Sequence, residues 1–416
     1  MLTRRQFSKD FLAGGTALLA CGDLGPANAL PTSSDKILDQ KFDLLIKGGT
    51  VIDPSQHLHE SLDVAVKDRK ILAVAPDIPE QQSAQVFSAK DAIVTPGFID
   101  LHVHCFDAIG AGVNADHYCL GRGVPTVVDA GSAGYPMIAG FIKYVVKTSL
   151  TRIFALVDIG ALGTVVGIRE HPMENLEWVN PELTARAAEE NKPTVVGIKV
   201  RLQKSIEGPN DIECLKRALQ AAESCGLPLM AHIDDPYSPL PDIVRLLRKG
   251  DVFTHFLGNH EHSILDTNQK ILPEVREARE RGVFFDIAEG SSHMSFDVAQ
   301  KCLAQGFLPD TISTDLYNGN VFGPTYDLPT LASKFLALGM NLDKVVELVT
   351  IKPAQVFDYG MQLGTLKPGT EADISIFEVR EGKFAYMDAD KKKLAGHQQL
   401  MSKAVVRSGQ LFVNQE

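Results

Sequence analysis

The chain lacks the features that would tie it to a membrane, a disulfide scaffold or a nucleic acid. No apolar run reaches the ~18 residues of a membrane-spanning helix, so no transmembrane segment is expected. Cysteine is scarce: six in 416 residues, at positions 21, 105, 119, 214, 225 and 302, with no Cys-x-x-Cys pair. That excludes a disulfide-built fold, a zinc knuckle and a thioredoxin-type motif. Positive charge is in deficit, with 41 Lys and Arg against 52 Asp and Glu, a net charge of −11. Beyond Lys391 to Lys393 there is no basic cluster, so no nucleic-acid partner is expected. No Gly-rich phosphate turn opens a strand–helix unit, which argues against a doubly wound sheet, and no repeat of 20–50 residues is visible. Apolar content is ample, at 44 % with 22 % charged residues. That composition fits a globular protein, and the length allows one large domain with a small one.

The first residues read as an address. Thr3-Arg4-Arg5-Gln6-Phe7-Ser8-Lys9 precedes a moderately apolar stretch, Phe11 to Ala20, and then Pro26-Ala27-Asn28-Ala29. The order of basic start, apolar run and small-residue site predicts a twin-arginine signal peptide over 1–29, and hence a periplasmic or exported protein. Leu18-Leu19-Ala20-Cys21 resembles a lipoprotein box, so anchoring at Cys21 stays open as a second processing route.

Beyond the signal the chain changes style twice. Phe42 to Asp53, Asp63 to Val66, Ile71 to Ala75 and Ala92 to Gly97 are short apolar strands with glycine turns, and Asp373 to Phe377 and Lys403 to Val413 resume the pattern. A small β-sandwich-like domain built from 42–95 and 361–416 is therefore expected. The middle, 96–360, alternates short apolar strands with helical stretches. Strands are predicted at Gly97–Val103, Pro125–Ala130, Ile153–Ile159, Thr194–Val200, Pro228–Ile233, Val252–Phe256, Val283–Ile287 and Thr311–Thr314. The clearest helices are predicted over Leu215–Cys225 and Leu272–Arg281. Eight such units predict an α/β fold, a (β/α)8 TIM barrel.

In such a barrel the chemistry sits where strands end, on the C-terminal face. Strand one ends Asp100-Leu101-His102-Val103-His104, which puts His102 and His104 on one face. Two imidazoles so placed can bind one metal ion. Strand four carries Lys199 within an apolar run, where an unneutralised ammonium would be costly. Strands five, six and eight end on His232, His255 and Asp315. Each residue alone could be an ordinary polar strand end. Five such ends in one barrel point to a site.

This pattern resembles the amidohydrolase superfamily of metal-dependent hydrolases, from about Phe42 to the end of the chain. Val94-Thr95-Pro96-Gly97-Phe98-Ile99-Asp100-Leu101-His102-Val103-His104 is similar to the motif that opens the family's barrel, and Leu363-Gly364-Thr365-Leu366-Lys367-Pro368-Gly369-Thr370-Glu371-Ala372-Asp373 to its return into the β-domain. The stretch from Asp327-Leu328-Pro329 to Leu338-Gly339-Met340 resembles the amidohydrolase/deacetylase subgroup, whose members are often mislabelled dihydroorotases. The resemblance implies two divalent metal ions, Zn²⁺ suiting the His-rich set. It places His102 and His104 on one ion and His232 and His255 on the other. Lys199, carboxylated by CO₂ to a carbamate, bridges them. Asp315 is implied both as a metal ligand and as the catalytic group that moves a proton. A metal-bridging hydroxide is the implied nucleophile, acting on an acyl amide or ester of a small-molecule substrate in deacetylase-like chemistry. Superfamily relatives often form homo-oligomers.

Arg201 lies two residues beyond Lys199 and shares its face. It is read either as the anchor of a substrate carboxylate or as the partner of a structural carboxylate. Glu289, His293 and Tyr317 are candidate substrate contacts, with scaffold roles as the alternative. His260 and His262 form a second His-x-His, read as solvated loop. Several positions depart from named relatives. A dihydroorotase would be expected to carry an Arg just after the first His-x-His, where this chain has Cys105-Phe106. The subgroup usually has His-Gly after strand seven and a His after the strand-eight Asp-Leu, where this chain has Glu289-Gly290 and Tyr317. Two alternatives stay open: a cyclic amidohydrolase of the dihydroorotase type, and an inactive barrel serving as a binding scaffold, against which the complete ligand set weighs.

Overall fold

The computed structural model describes residues 41–107, 109–165 and 173–414. The twin-arginine stretch, both cleavage motifs and Cys21 lie outside the described residues. The first elements among the described residues are β1 (Phe42–Asp53), β2 (Leu58–Lys67), β3 (Lys70–Ala75), β4 (Ser83–Ser88) and β5 (Ile93–Pro96). β1 is the hub of these strands, pairing antiparallel with β2 and parallel with both β4 and β5.

Two residues after β5 the barrel begins. Its strands are β6 (Ile99–Val103), β7 (Thr126–Asp129), β8 (Arg152–Asp158), β9 (Val195–Leu202), β10 (Leu229–Ile233), β11 (Val252–Thr254) and β12 (Phe284–Asp286), hydrogen-bonded in sequence order. Residues 311–316 close the ring through the parallel bridges Asp286↔Thr311 and Val103↔Leu316. The eighth strand predicted over Thr311–Thr314 is thus present in place but carries no continuous ladder. Side chains take over the pairing there. Thr314 donates its backbone N–H and its hydroxyl to Asp100, and the Thr311 and Ser313 hydroxyls donate to Asp286.

Both faces of the barrel strands are apolar, as a covered parallel sheet requires. Val127, Ala155, Val157, Ile198, Val200, Ala231 and Phe253 join the main core with the surrounding helices. Their alternates Val128, Leu156, Val196, Met230 and Val252 form a second cluster with Phe357 and Tyr359. Asp158, His232 and Thr254 keep this period and fall on the second face, with the interior residues. In β9 the register shifts between Val195 and Gly197, and beyond the shift Lys199 and Arg201 alternate with core-facing Ile198 and Val200 and so fall on the same interior face. The helices include Asp211–Cys225 and Pro273–Arg281, where the pattern predicted them, the first starting four residues early.

The chain returns through β13 (Ile374–Met387), β14 (Lys393–Arg407) and β15 (Gln410–Val413). β13 pairs antiparallel with β5, so both ends of the chain complete one mixed sheet ordered β15-β14-β13-β5-β1-β2-β3, with β4 beside β1. One face of the sheet is apolar: Leu44, Val51, Val64, Ile71, Ile374 and Val406 share one cluster. The small β-region is therefore one continuous mixed sheet, where a sandwich-like domain was expected. Arg152, at the start of β8, ion-pairs with Asp373 and, at 3.1 Å, with Glu371, tying this sheet to the barrel.

The far half of the β13–β14 hairpin leaves the sheet and packs on the barrel. Tyr386 and Leu400 belong to the barrel core. Leu400 N–H donates to Ser333 Oγ at 2.9 Å, and Asp388 Oδ2 accepts from Phe296 N–H at 2.7 Å, at the start of helix Phe296–Ala304.

Candidate metal centre

The polar strand ends predicted from sequence converge. His102 Nε2 lies 3.0 Å from Lys199 Nζ and 3.4 Å from Asp315 Oδ1. His104 Nε2 lies 3.3 Å from the same Asp315 oxygen. The His232 and His255 rings are 4.1 Å apart by centroid, and His102 and His255 are 5.1 Å apart. All six residues are buried, Lys199 completely. Among the described residues two triplets can hold an ion, His232–His255–His293 and His102–His255–Asp315, with one ligand atom from each residue within 4.8 Å of the others. His255 belongs to both. The first triplet adds His293 to the ligand-capable set, a residue that the sequence reading placed only as a substrate contact.

The local backbone is bent to make this possible. His255, Ala288 and Asp315 have φ of 75°, 42° and 50°, a left-handed conformation that costs non-glycine residues energy and gathers at functional sites. Two glycines allow close approach. A Cβ on Gly131 would lie 2.8 Å from Lys199 Cβ, and one on Gly290 would lie 2.7 Å from Asp315 Oδ2 and 2.5 Å from the His293 ring.

Burial sets the charge states. It holds the His102, His232 and His255 rings well below the usual histidine range, so they are neutral with a lone pair to offer. It also pushes the Lys199 amine down to about 7. His293 differs. Burial opposes its charge, but Asp234 and then Asp315 outweigh burial and hold the ring above the usual value. His293 Nδ1 is 3.1 Å from Asp234 Oδ2, and its Nε2 is 3.7 Å from Asp315 Oδ2. The Nε2 atoms of His232 and His255 are buried and have no hydrogen-bond partner. Buried polar atoms are rarely left so, and two on adjacent rings call for an occupant.

The Amidohydrolase family model matches residues 93–411. The chain belongs to the amidohydrolase family. It is 33 % identical over 377 residues to a deacetylase of Enterococcus faecalis, covering 90 % of this chain and all of that one. It is 31 % identical over 324 residues to Deacetylase Atu3266 of Agrobacterium fabrum, covering 78 % and 79 %. Among solved structures it is similar to an adenine deaminase (TM-score 0.83, 33 % identity, 90 % and 100 % covered) and a dihydroorotase (TM-score 0.81, 28 % identity, 89 % and 99 % covered). As an amidohydrolase with buried His and Asp clusters it is a metal-dependent, deacetylase-like hydrolase. Relatives of similar identity carry three different activity names, deacetylase, adenine deaminase and dihydroorotase.

Other residues of this amidohydrolase fall less neatly. Arg201 is buried. Its Nε faces Asp158 Oδ2 at 3.4 Å, its Nη2 donates to Gly163 O at 2.8 Å, and its Nη1 has no partner. The Asp158 carboxyl is raised by burial, with Arg201 pulling the other way. Glu289 does not join the cluster. It is fully buried and paired with Lys334 Nζ at 2.5 Å, and the same ammonium donates to Pro324 O and Met387 O. Tyr317 is half-buried, its hydroxyl 2.5 Å from Ser291 Oγ. His260 is not a freely solvated loop residue: it is partly buried, with Nε2 3.7 Å from Asp234 Oδ1.

Sequence reasoning inspected five strand ends and passed over three. β7, β8 and β12 also end on carboxylates, Asp129, Asp158 and Asp286, all fully buried. Asp129 accepts from Cys105 N–H and Ser132 N–H, and Ser132 Oγ is 3.0 Å from His104 Nδ1. The signal was available: an Asp closing an apolar strand is what singled out Asp315.

Proposed function

We propose that the protein hydrolyses an acyl amide or ester bond in a small molecule bearing a carboxylate, using two divalent ions, zinc by preference. The observation that carries this reading is the pair of partnerless, buried Nε2 atoms on His232 and His255. Neutral imidazoles with one carboxylate suit a borderline divalent metal. His102, His104 and Asp315 would hold one ion and His232 and His255 the other, with Lys199 shared as a carbamate. The neutral amine that burial favours is the form that adds CO₂. The resulting anion removes a buried positive charge from beside two cations. The ions, when bound, supply an activated water near neutral pH and polarise the scissile carbonyl.

The chain's own groups do the rest. Asp315 takes a proton from the nucleophile and delivers it to the leaving group. His293, gripped by Asp234, faces Asp315 Oδ2 and keeps that carboxylate oriented. Arg201 offers its free Nη1 edge to the substrate carboxylate while its other nitrogens rest on Asp158 and Gly163. Tyr317 borders the substrate space, and Glu289 serves the scaffold. The curated deacetylase relatives support acyl transfer to water. Hydrolysis of a cyclic amide is the second reading, favoured by the dihydroorotase likeness. It is weakened by Cys105-Phe106 after the first His-x-His, where a dihydroorotase would be expected to carry an arginine. The small domain (42–95 with 361–416) and the barrel (96–360) are assigned as separate units behind a 1–29 signal. Twin-arginine export, which carries folded proteins, would let the ions be loaded before crossing.

The test is metal content per chain by mass spectrometry after purification without chelators. Close to two ions supports the reading. None, even after incubation with zinc and bicarbonate, overturns it in favour of a binding scaffold. A screen of acylated amino and hydroxy acids then separates released carboxylic acid from released ammonia.

A further inference from the structure

Asp286 closes β12 and is fully buried. Three hydroxyls converge on its two oxygens: Thr311 Oγ1 at 2.6 Å from Oδ1, Ser313 Oγ at 2.8 Å from both, and Thr254 Oγ1 at 2.8 Å from Oδ2. An ionised carboxylate accepts and cannot donate, so each hydroxyl commits its single proton to it. Thr254 Oγ1 also faces His102 Nδ1, 3.2 Å away. With its proton spent on Asp286, Thr254 has only a lone pair left for the ring. His102 Nδ1 must then carry the ring proton, which leaves the Nε2 lone pair directed at Lys199 and Asp315. His255 reaches the same tautomer by another route: its Nδ1 lies 2.7 Å from Ala288 O, a carbonyl that can only accept.

We infer that Asp286 is a positioning residue that fixes the tautomer of His102 through Thr254, holding Nε2 ready as a ligand. This rests on the reading of His102 as a metal ligand. The carboxylate touches no substrate. Its effect passes through one hydroxyl, the kind of outer contact whose loss typically weakens metal binding about 10- to 100-fold.

Two measurements on the full-length chain test it. The first is nitrogen NMR of ¹⁵N-histidine-labelled, metal-free protein, with His102 assigned by its loss in His102→Gln. The expected pattern has the proton on Nδ1 in the wild type and a shift toward Nε2–H in Thr254→Val, which keeps the side-chain shape. Thr254→Ser, which keeps the hydroxyl, should restore the wild-type pattern. A wild-type ring protonated on Nε2 overturns the inference. The second is calorimetric titration with zinc alone. One of two ions should bind at least tenfold more weakly in Thr254→Val and normally in Thr254→Ser. Unchanged binding in Thr254→Val, with binding lost in His102→Gln, sinks the tautomer role. Unchanged binding in His102→Gln sinks the ligand reading beneath it. Asp286→Asn, whose amide can turn the Thr254 hydroxyl toward His102, should reproduce Thr254→Val in both readouts if it folds.

Discussion

The two halves of the histidine cluster are held in different ways. On the β6 side a side chain braces each ring: Thr254 faces His102, and Ser132, itself set by Asp129, faces His104. On the β10–β11 side the brace on His255 is a backbone carbonyl, and two Nε2 atoms have no partner at all. The β6 half is already closed around Asp315, whose Oδ1 sits within 3.4 Å of both rings. A buried unsatisfied acceptor costs about 1–3 kcal/mol, so the β10–β11 half has the more to gain from a ligand. The β6 rings have polar partners on both nitrogens, whereas the β10–β11 rings present two bare Nε2 atoms. Ion binding should therefore stabilise the second half more than the first.

The most damaging way to break this arrangement is to remove the group between the halves. Lys199→Ala should lose metal and lower kcat/KM by about 10³-fold or more, because joined catalytic groups fail together. Short carboxylic acids added in trans should restore part of both. Two retained ions with full rate would contradict the bridging role. Asp315→Asn attacks only the closed half. It should keep at least one ion and lose ~10²–10⁴-fold in kcat with little change in KM, the scale of general acid–base catalysis; an unchanged kcat removes Asp315 from proton transfer. Arg201→Ala leaves both halves in place. It should raise KM by roughly 10- to 100-fold for anionic substrates, the worth of a charge-assisted hydrogen bond, and little for neutral ones. Equal effects on both would give Arg201 to Asp158 alone.

The smallest effect is one of pH. Only the neutral Lys199 amine adds CO₂, and its value of about 7 means that neutrality grows as pH rises. Reconstitution of metal-depleted protein at fixed dissolved CO₂ should speed up about tenfold between pH 6 and pH 8, as the neutral fraction does. A flat profile would mean that the amine is not the reacting form.

Much of this was legible in the chain because barrel chemistry is written at strand ends. His102, His104, Lys199, His232, His255 and Asp315 each follow a short apolar run, and period two pairs His102 with His104 on one face. It does not turn His255 inward beside inward-facing Thr254; the left-handed backbone at His255 and at Asp315 does that. The eighth strand was legible by position but not by pairing, since Asp100 and Asp286 replace its ladder with side-chain contacts. That substitution depends on residues more than 200 positions apart along the chain, Asp100 and Thr314, which no local pattern links. Glu289 shows the same limit. Next to a site glycine it reads as a substrate contact, yet its true partner, Lys334, lies 45 residues away on a helix whose apolar face hides a lysine. His293 was visible as a loop histidine, but its place between Asp234 and Asp315 depends on the turn at Gly290, where a Cβ would meet both the His293 ring and Asp315.

The β13–β14 hairpin gives the site a schedule. Synthesis delivers every strand-end residue of the barrel by Asp315, but Met387, which receives the Lys334 ammonium, and Asp388, which caps the helix after His293, arrive some seventy residues later. A nascent chain can hold its histidines and still lack the clasp that sets the loop from Glu289 to His293. Domains tend to fold from the N-terminus as they emerge, yet here the last strands close both the first sheet and the mouth of the barrel. The finished site is a property of the whole chain, and a premature stop in the hairpin should leave a barrel without a working mouth.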